Sequence, residues 1–232
     1  MRFNRPNPIA WFFFLSAFAT CVALGTWQVQ RLQWKQGLIA EIGQAKTLPP
    51  LTTLPNDSAA LEKLNFRPVK LSGTWLHEIE YHLAPRYYQG KFGYALFTPL
   101  QLKGKRVILV NRGWVPADKK DIGKRRETIV AGRGTVTGIL RVGKERNYFT
   151  PPNDPKRNLW FDRDVAEMAA TYEVKNVIPA TVDAVGAQDI DKLPVPSDGQ
   201  IRLKNDHLSY VFTWYLIALG ILIIFLTYHR RK

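Results

Sequence analysis

Ser209 to Tyr228 reads SYVFTWYLIALGILIIFLTY, 20 residues without a charge. At about 1.5 Å rise per residue a helix over this run reaches roughly 30 Å, one hydrocarbon thickness. The run therefore predicts a membrane-spanning helix. Ile9 to Val29 (IAWFFFLSAFATCVALGTWQV) is a second uncharged run, of 21 residues. The chain then divides into residues 1–8, a first span over 9–29, a middle domain over 30–208, a second span over 209–228 and a tail over 229–232. Just ahead of the second span stands Asn205-Asp206-His207-Leu208, an imidazole where water meets lipid, on a helix that Asn205 or Asp206 can cap.

The 232 residues carry 33 Lys and Arg against 19 Asp and Glu, for a net charge of +14. Two of the basic residues precede the first span and three follow the second, which leaves 28 beside all 19 acids in the middle domain, about +9 there. Arg2 and Arg5 at one end and Arg230, Arg231 and Lys232 at the other place both termini in the cytoplasm by the positive-inside rule. The middle domain then lies outside, where long translocated domains escape that rule. A cleaved signal peptide is the rival reading of the start, but the apolar core is too long and no clean A-x-A site follows. With so few residues before the first span there is no room for an Arg-rich transit peptide, so a bacterial inner membrane with a periplasmic domain is expected. Nucleic acid is excluded as a partner there; membrane lipid is an expected one.

Cys21 is the single cysteine and lies inside the first span, so no internal disulfide is available. Ala17, Cys21 and Gly25 recur every four residues, a small-residue stripe on which another helix can pack closely. Beyond the span the helix continues through Trp34-Lys35, placing Trp27, Arg31 and Trp34 on one face, until Leu48-Pro49-Pro50-Leu51 ends the helical region.

The middle domain reads as consecutive short strands: Phe66–Trp75, Glu78–Arg86, Gly93–Leu102, Arg106–Trp114, Thr128–Val142 and Val177–Val185. Asp162–Glu173 repeats Val165, Met168, Ala169 and Tyr172 at helical spacing and predicts one amphipathic helix. The fold class that follows is a membrane protein with two terminal transmembrane helices flanking an extracytoplasmic α+β domain, mainly an antiparallel sheet or partly closed barrel with helical cover. Lys119, Lys120, Lys124, Arg125 and Arg126 form a basic cluster in a loop, either a solvated surface or a contact for anionic lipid or an acidic partner.

Nothing in the chain reads as an enzyme. The middle domain has no cysteine, no G-x-S-x-G elbow and no H-E-x-x-H; its histidines are His77, His82 and His207. His77 and His82 are five apart in a strand pattern, which sends them to opposite faces and prevents joint chelation. At the membrane edge, an antiparallel alignment that sets Arg31 level with His207 sets Gly25 level with Thr213. His207, Tyr210, Val211 and Trp214 share one face of the second helix, and Arg31, Lys35, Arg202 and Lys204 lie near. A haem suits such a place, since its propionates want cations, its macrocycle apolar walls and its iron an imidazole. The ordinary alternative is a capping or snorkelling histidine, and spacing alone favours that.

Three motifs together resemble the Surfeit-locus protein 1 family, membrane proteins that assist assembly of haem-copper cytochrome c oxidase. They are Leu24-Gly25-Thr26-Trp27-Gln28-x-x-Arg31-x-x-Trp34-Lys35, Val110-Asn111-Arg112-Gly113-Trp114-Val115-Pro116, and Asn205-Asp206-His207-Leu208-x-Tyr210-x-x-Thr213-Trp214-Tyr215. The resemblance covers nearly the whole chain; Asp206 departs from the asparagine more usual in the family. It implies a non-enzymatic role, receiving haem a at the outer face and helping to place it in oxidase subunit I, with haem A synthase as a further partner. His207 would be the iron ligand and the only metal-binding residue, with Trp27, Trp34, Tyr210 and Trp214 as ring walls and Arg31, Lys35 or Arg202 as propionate partners. For Asn111-Arg112-Gly113-Trp114 two readings stand: Gly113 bends the backbone and Trp114 fills the core, or Arg112 and Trp114 dock a partner. A cofactor-free scaffold, holding an oxidase subunit through its domain and the Ala17-Cys21-Gly25 stripe, is the alternative to a haem carrier.

Overall fold

The computed structural model describes residues 7–130, 132–143, 146, 148–200 and 205–230. The chain forms two compact units, Met1–Glu41 with Arg202–Lys232, and Ile42–Ile201. In the first unit, helix α1 (Pro8–Thr47) begins where the Asn7 side chain accepts from the Ala10 amide at 2.7 Å, with proline at the first helical position, and it ends ahead of Pro49-Pro50. Helix α4 (His207–Tyr228) is its partner. Both are long and apolar enough to cross a membrane, and most of their side chains face outward, unlike the core helices of a soluble protein.

The second unit is a barrel. Its strands are β1 (Pro68–Trp75), β2 (Tyr81–Tyr88), β3 (Lys91–Gln101), β4 (Val107–Pro116), β5 (Arg133–Val142) and β6 (Val177–Ala184), with the short helices α2 (Ser58–Glu62) and α3 (Val165–Thr171). The hydrogen-bonded order is β1-β5-β6-β4-β3, and β1 then pairs with β3 through Thr74↔Gln101 and Trp75↔Leu100 to close five strands; β2 extends the wall beyond β3. All ladders are antiparallel except β4 with β6. Closure leaves few unpaired edges.

Strand β4 shows why both of its faces are apolar. Ile108 and Val110 join Val69, Leu71, Leu140 and Val182 in the barrel interior, while Leu109 joins Phe97, Tyr81, Leu83, Trp160 and Met168 in a second cluster. Trp160 has no exposed surface. Helix α3 supplies Met168, and it is shorter than Asp162–Glu173 because Asp164 caps it by accepting from the Glu167 amide, while Glu173 takes a left-handed φ of 53°.

Candidate functional sites in the helix pair and the barrel

Helices α1 and α4 run antiparallel. Phe14 stacks on Phe225 with ring centroids 4.0 Å apart, and Trp11 lies 4.9 Å from the same ring. Further along, a Cβ on Gly25 would sit 3.0 Å from the Tyr215 ring, and Thr26 Oγ1 is 3.2 Å from the Tyr215 hydroxyl. A side chain at this position would oblige the ring to give way by a few tenths of an ångström. Gly25 thus meets Tyr215 rather than Thr213, and His207 meets Gln28 rather than Arg31, each within one helical turn of the alignment read from the sequence.

The His207–Gln28 contact is the polar centre of the pair. His207 Nδ1 lies 2.7 Å from Gln28 Oε1, and Gln28 is only 9% exposed although it belongs to an apolar helix. An amide oxygen can only accept, so Nδ1 is the donor, and in the neutral ring Nε2 is the nitrogen with the lone pair. Asp206 occupies the N-cap position of α4, and its side chain makes no capping hydrogen bond. Within the first unit the buried residues of α1 are Cys21, Gly25 and Gln28, at i, i+4 and i+7.

A helix does pack on the small-residue stripe, and it is α4 of the same chain. Cys21 and Gly25 are buried by the chain's own α4, where Ala218 is the fully buried residue, and only Ala17 is exposed. A foreign helix therefore finds the stripe covered over most of its length. Trp27, Arg31 and Trp34 stay together as expected, with the Arg31 guanidinium 5.7 Å from the Trp27 ring and 5.2 Å from the Trp34 ring. They lie on an exposed flank of α1 beside Gln28, Trp27 and Trp34 being 47% and 60% exposed, and among the described residues none of the three makes a hydrogen bond or ring contact with His207. On α4, Tyr210 is exposed and Trp214 is half-buried one and two turns beyond His207. Lys35 is half-buried on α1, whereas Arg2, Arg5, Arg202, Lys204, Arg231 and Lys232 fall outside the described residues.

The barrel carries a second polar centre. Arg125, from the basic loop, has no exposed surface: it forms an ion pair with Glu80 through both terminal nitrogens and donates from Nε to the Lys119 carbonyl at 2.9 Å. It also donates to the Lys120 carbonyl at 3.1 Å. The cluster is therefore not uniformly a solvated or docking surface, because its central cation is consumed by a carboxylate 45 residues away. His82 places Nε2 3.1 Å from the same Lys120 carbonyl, and its pKa falls to about 4 through burial, with Lys120 and Arg125 adding to the effect. His77 accepts from the Val130 amide at Nε2, and burial followed by the Arg112 charge lowers its pKa. His77 lies in the turn before β2 rather than in the strand, so both histidines line one cavity of about 500 Å³ together with Glu78, Glu80, Lys120 and Asp121. Among the described residues no group of three or more His, Cys, Asp and Glu could hold a metal.

The Arg112–Trp114 pair, read either as a backbone bend with a core tryptophan or as a docking surface, sits on a bulge of β4. Leu96 pairs with Gly113 and Phe97 with Asn111, so Arg112 is the extra residue. Arg112 lies over Trp75 at 5.4 Å and donates to the Thr128 carbonyl; burial brings its pKa down to about 10, with Glu80 opposing and Arg125 assisting. Trp114 is 7% exposed and packs beside Tyr88, with ring centroids 5.4 Å apart. Gly113 has φ 131°, and a Cβ there would fall 2.0 Å from the Val195 carbonyl oxygen, so the backbone of the returning segment takes the room that any side chain would need.

A model of the SURF1 family matches residues 15–219, nearly the entire chain. This protein belongs to the SURF1 family. Surfeit locus protein 1 of Mus musculus is 34% identical over 222 residues, covering 89% of this chain and 71% of the relative. The Homo sapiens protein of the same name is 34% identical over 212 residues, 84% of this chain and 69% of the relative. A SURF1-like protein of Drosophila melanogaster is 34% identical over 229 residues, 91% and 74% respectively. The region matched to the SURF1 family takes in the barrel, Gln28 and His207 together. With its two apolar helices, this SURF1-family chain is a membrane protein.

Proposed function

We propose that this protein is an assembly factor for haem-copper cytochrome c oxidase, a non-enzymatic one that receives haem a near the outer membrane face and assists its insertion into subunit I. The observation that carries the haem part is the 2.7 Å contact between His207 Nδ1 and Gln28. A ligand imidazole is made ready when its far nitrogen is held by a hydrogen bond, which fixes the tautomer and the ring plane. His207 Nε2 is then the donor atom, Gln28 the orienting residue, and Trp214 and Tyr210 the aromatic groups on the same helix. Haem a would supply the iron that accepts this lone pair and the propionates that seek cations. Trp27, Arg31 and Trp34, exposed on a flank of α1 beside Gln28, suit a propionate or a partner approaching from that side. Arg202 remains a further propionate partner in the proposal.

The topology goes with this reading: both spans in a bacterial inner membrane, both termini cytoplasmic and the barrel periplasmic, with subunit I, haem A synthase and lipid as partners. The cofactor-free scaffold is the competing outcome. Burial of Cys21 and Gly25 against α4 leaves that scaffold little of the stripe on which to seat a subunit helix. The deciding experiment is the absorption spectrum of the detergent-purified protein made alongside haem A synthesis, for the wild type, His207→Ala and Gln28→Leu. A haem a spectrum lost in His207→Ala and altered in Gln28→Leu supports the carrier. A colourless wild type that still captures subunit I supports the scaffold.

A further inference from the structure

A cleft of about 460 Å³ in the barrel wall is lined by Lys70 and Ser72 of β1, Lys103 and Arg106 at the β3–β4 turn, Arg133 at the start of β5, and Thr52 and Thr53. Four cations and three hydroxyls thus face one space, and among the described residues no carboxylate lines it. Nor is Lys70, Lys103 or Arg133 paired with a carboxylate among the described residues. Arg106 is built in: its two terminal nitrogens donate to the carbonyls of Leu54 and Pro55 at 2.7 and 2.6 Å, which fixes the guanidinium and the 52–55 segment to one another. Like charges gathered without counter-charge repel, and the arrangement is relieved when an anion enters.

We propose that this cleft binds a phosphate group, either free or as a phospholipid headgroup. A lone carboxylate offers two oxygens and one charge, too little for four cations spread around the space. A phosphoryl group offers three or more acceptor oxygens that can meet ammonium, guanidinium and hydroxyl donors at once. The proposal stands apart from the haem site and from the oxidase reading.

The test is calorimetric titration of the full chain in non-ionic detergent, at fixed ionic strength, with inorganic phosphate and with dihexanoyl phosphatidylglycerol. Wild type is compared with K70Q/K103Q/R133Q, which leaves Arg106 and the 52–55 segment intact, and with K63Q/K156Q/K175Q, which removes the same charge from exposed positions elsewhere. Saturable binding that the cleft variant weakens roughly tenfold or more, three exposed pairs multiplied together, and that the control retains, is the expected result. Tighter binding of the lipid than of phosphate assigns a headgroup source; the reverse order assigns free phosphate. Equal losses in both variants, or no saturable binding of either probe, overturns the proposal.

Discussion

Replacing Arg125 with methionine preserves most of the side chain's bulk and removes its guanidinium. The Glu80 carboxylate, with side-chain exposure of 8%, then loses the guanidinium, and the carbonyls of Lys119 and Lys120 each lose the hydrogen bond that Arg125 donates. Removing one member of a buried ion pair costs about 3–5 kcal/mol, because the surviving charge stays in a poor solvent. At 2–4 °C per kcal/mol for a domain of 150–250 residues, the barrel should melt roughly 6–20 °C lower. The assay is thermal unfolding of the full chain in detergent followed by near-UV circular dichroism, with hydrogen exchange at the β2 amides of Tyr81 and Leu83 reporting the barrel alone. R125M/E80M supplies the control: two apolar residues in place of both charges should recover much of the loss, since an apolar pair of similar volume often matches a buried ion pair. A single variant costing less than about 1 kcal/mol, the range of an exposed pair, would refute the argument. So would a double variant as unstable as the two single effects added together.

His82 should make barrel stability depend on pH. Its pKa is about 4 in the folded chain, against about 6.5 when exposed. Between those values the unfolded chain binds the extra proton, so the stabilisation is complete above pH 6.5, falls as pH drops toward 4, and amounts to about 3 kcal/mol in all. Urea midpoints for wild type and His82→Asn across pH 4–7 check it, the variant being expected to show the shallower slope. Gly113→Ala, with its Cβ 2.0 Å from the Val195 carbonyl oxygen at φ 131°, should cost about 3 kcal/mol or more in chemical denaturation through strain and the displaced return segment. An unchanged midpoint would mean that the bulge relaxes freely. Gly25→Leu should push Tyr215 off α1 and open Cys21, now 6% exposed, so that N-ethylmaleimide alkylates this single cysteine several-fold faster; an unchanged rate would show that the helices part elsewhere.

Strand positions and the Pro-terminated first helix are legible because they rest on local patterns: period-two apolar residues, turn glycines and the Pro49-Pro50 stop. Barrel closure is not, since the β1–β3 pairing through Trp75 and Leu100 and the parallel β4–β6 ladder join segments that no short window contains. The same limit explains the misread basic loop. Five cations within eight residues look like a surface, and the carboxylate that draws Arg125 inside stands at Glu80, ahead of another strand. His77 differs for a smaller reason: the strand starts at Tyr81, so a period of two does not reach it.

Gln28 was within reach. Cys21, Gly25 and Gln28 continue one face of α1, and a buried amide on an apolar helix requires a partner, because an unsatisfied polar group there costs more than the hydrogen bond returns. An antiparallel partner helix that begins with a histidine supplies it. The pairing also changes how His207 variants should be read. His207→Ala removes the proposed iron ligand and strands the Gln28 amide at the same time, so a lost spectrum could come from a loosened helix pair. Gln28→Leu keeps the imidazole and removes only its orienting acceptor, whereas Gln28→Glu keeps the acceptor and adds a charge that makes the imidazole a stronger donor. If the bound iron's midpoint potential falls in Gln28→Glu while Gln28→Leu broadens or weakens the spectrum, His207 is ligating through Nε2 with Nδ1 held by residue 28. If both variants leave spectrum and potential as in the wild type, the contact is only a helix-packing hydrogen bond and the ligand lies elsewhere.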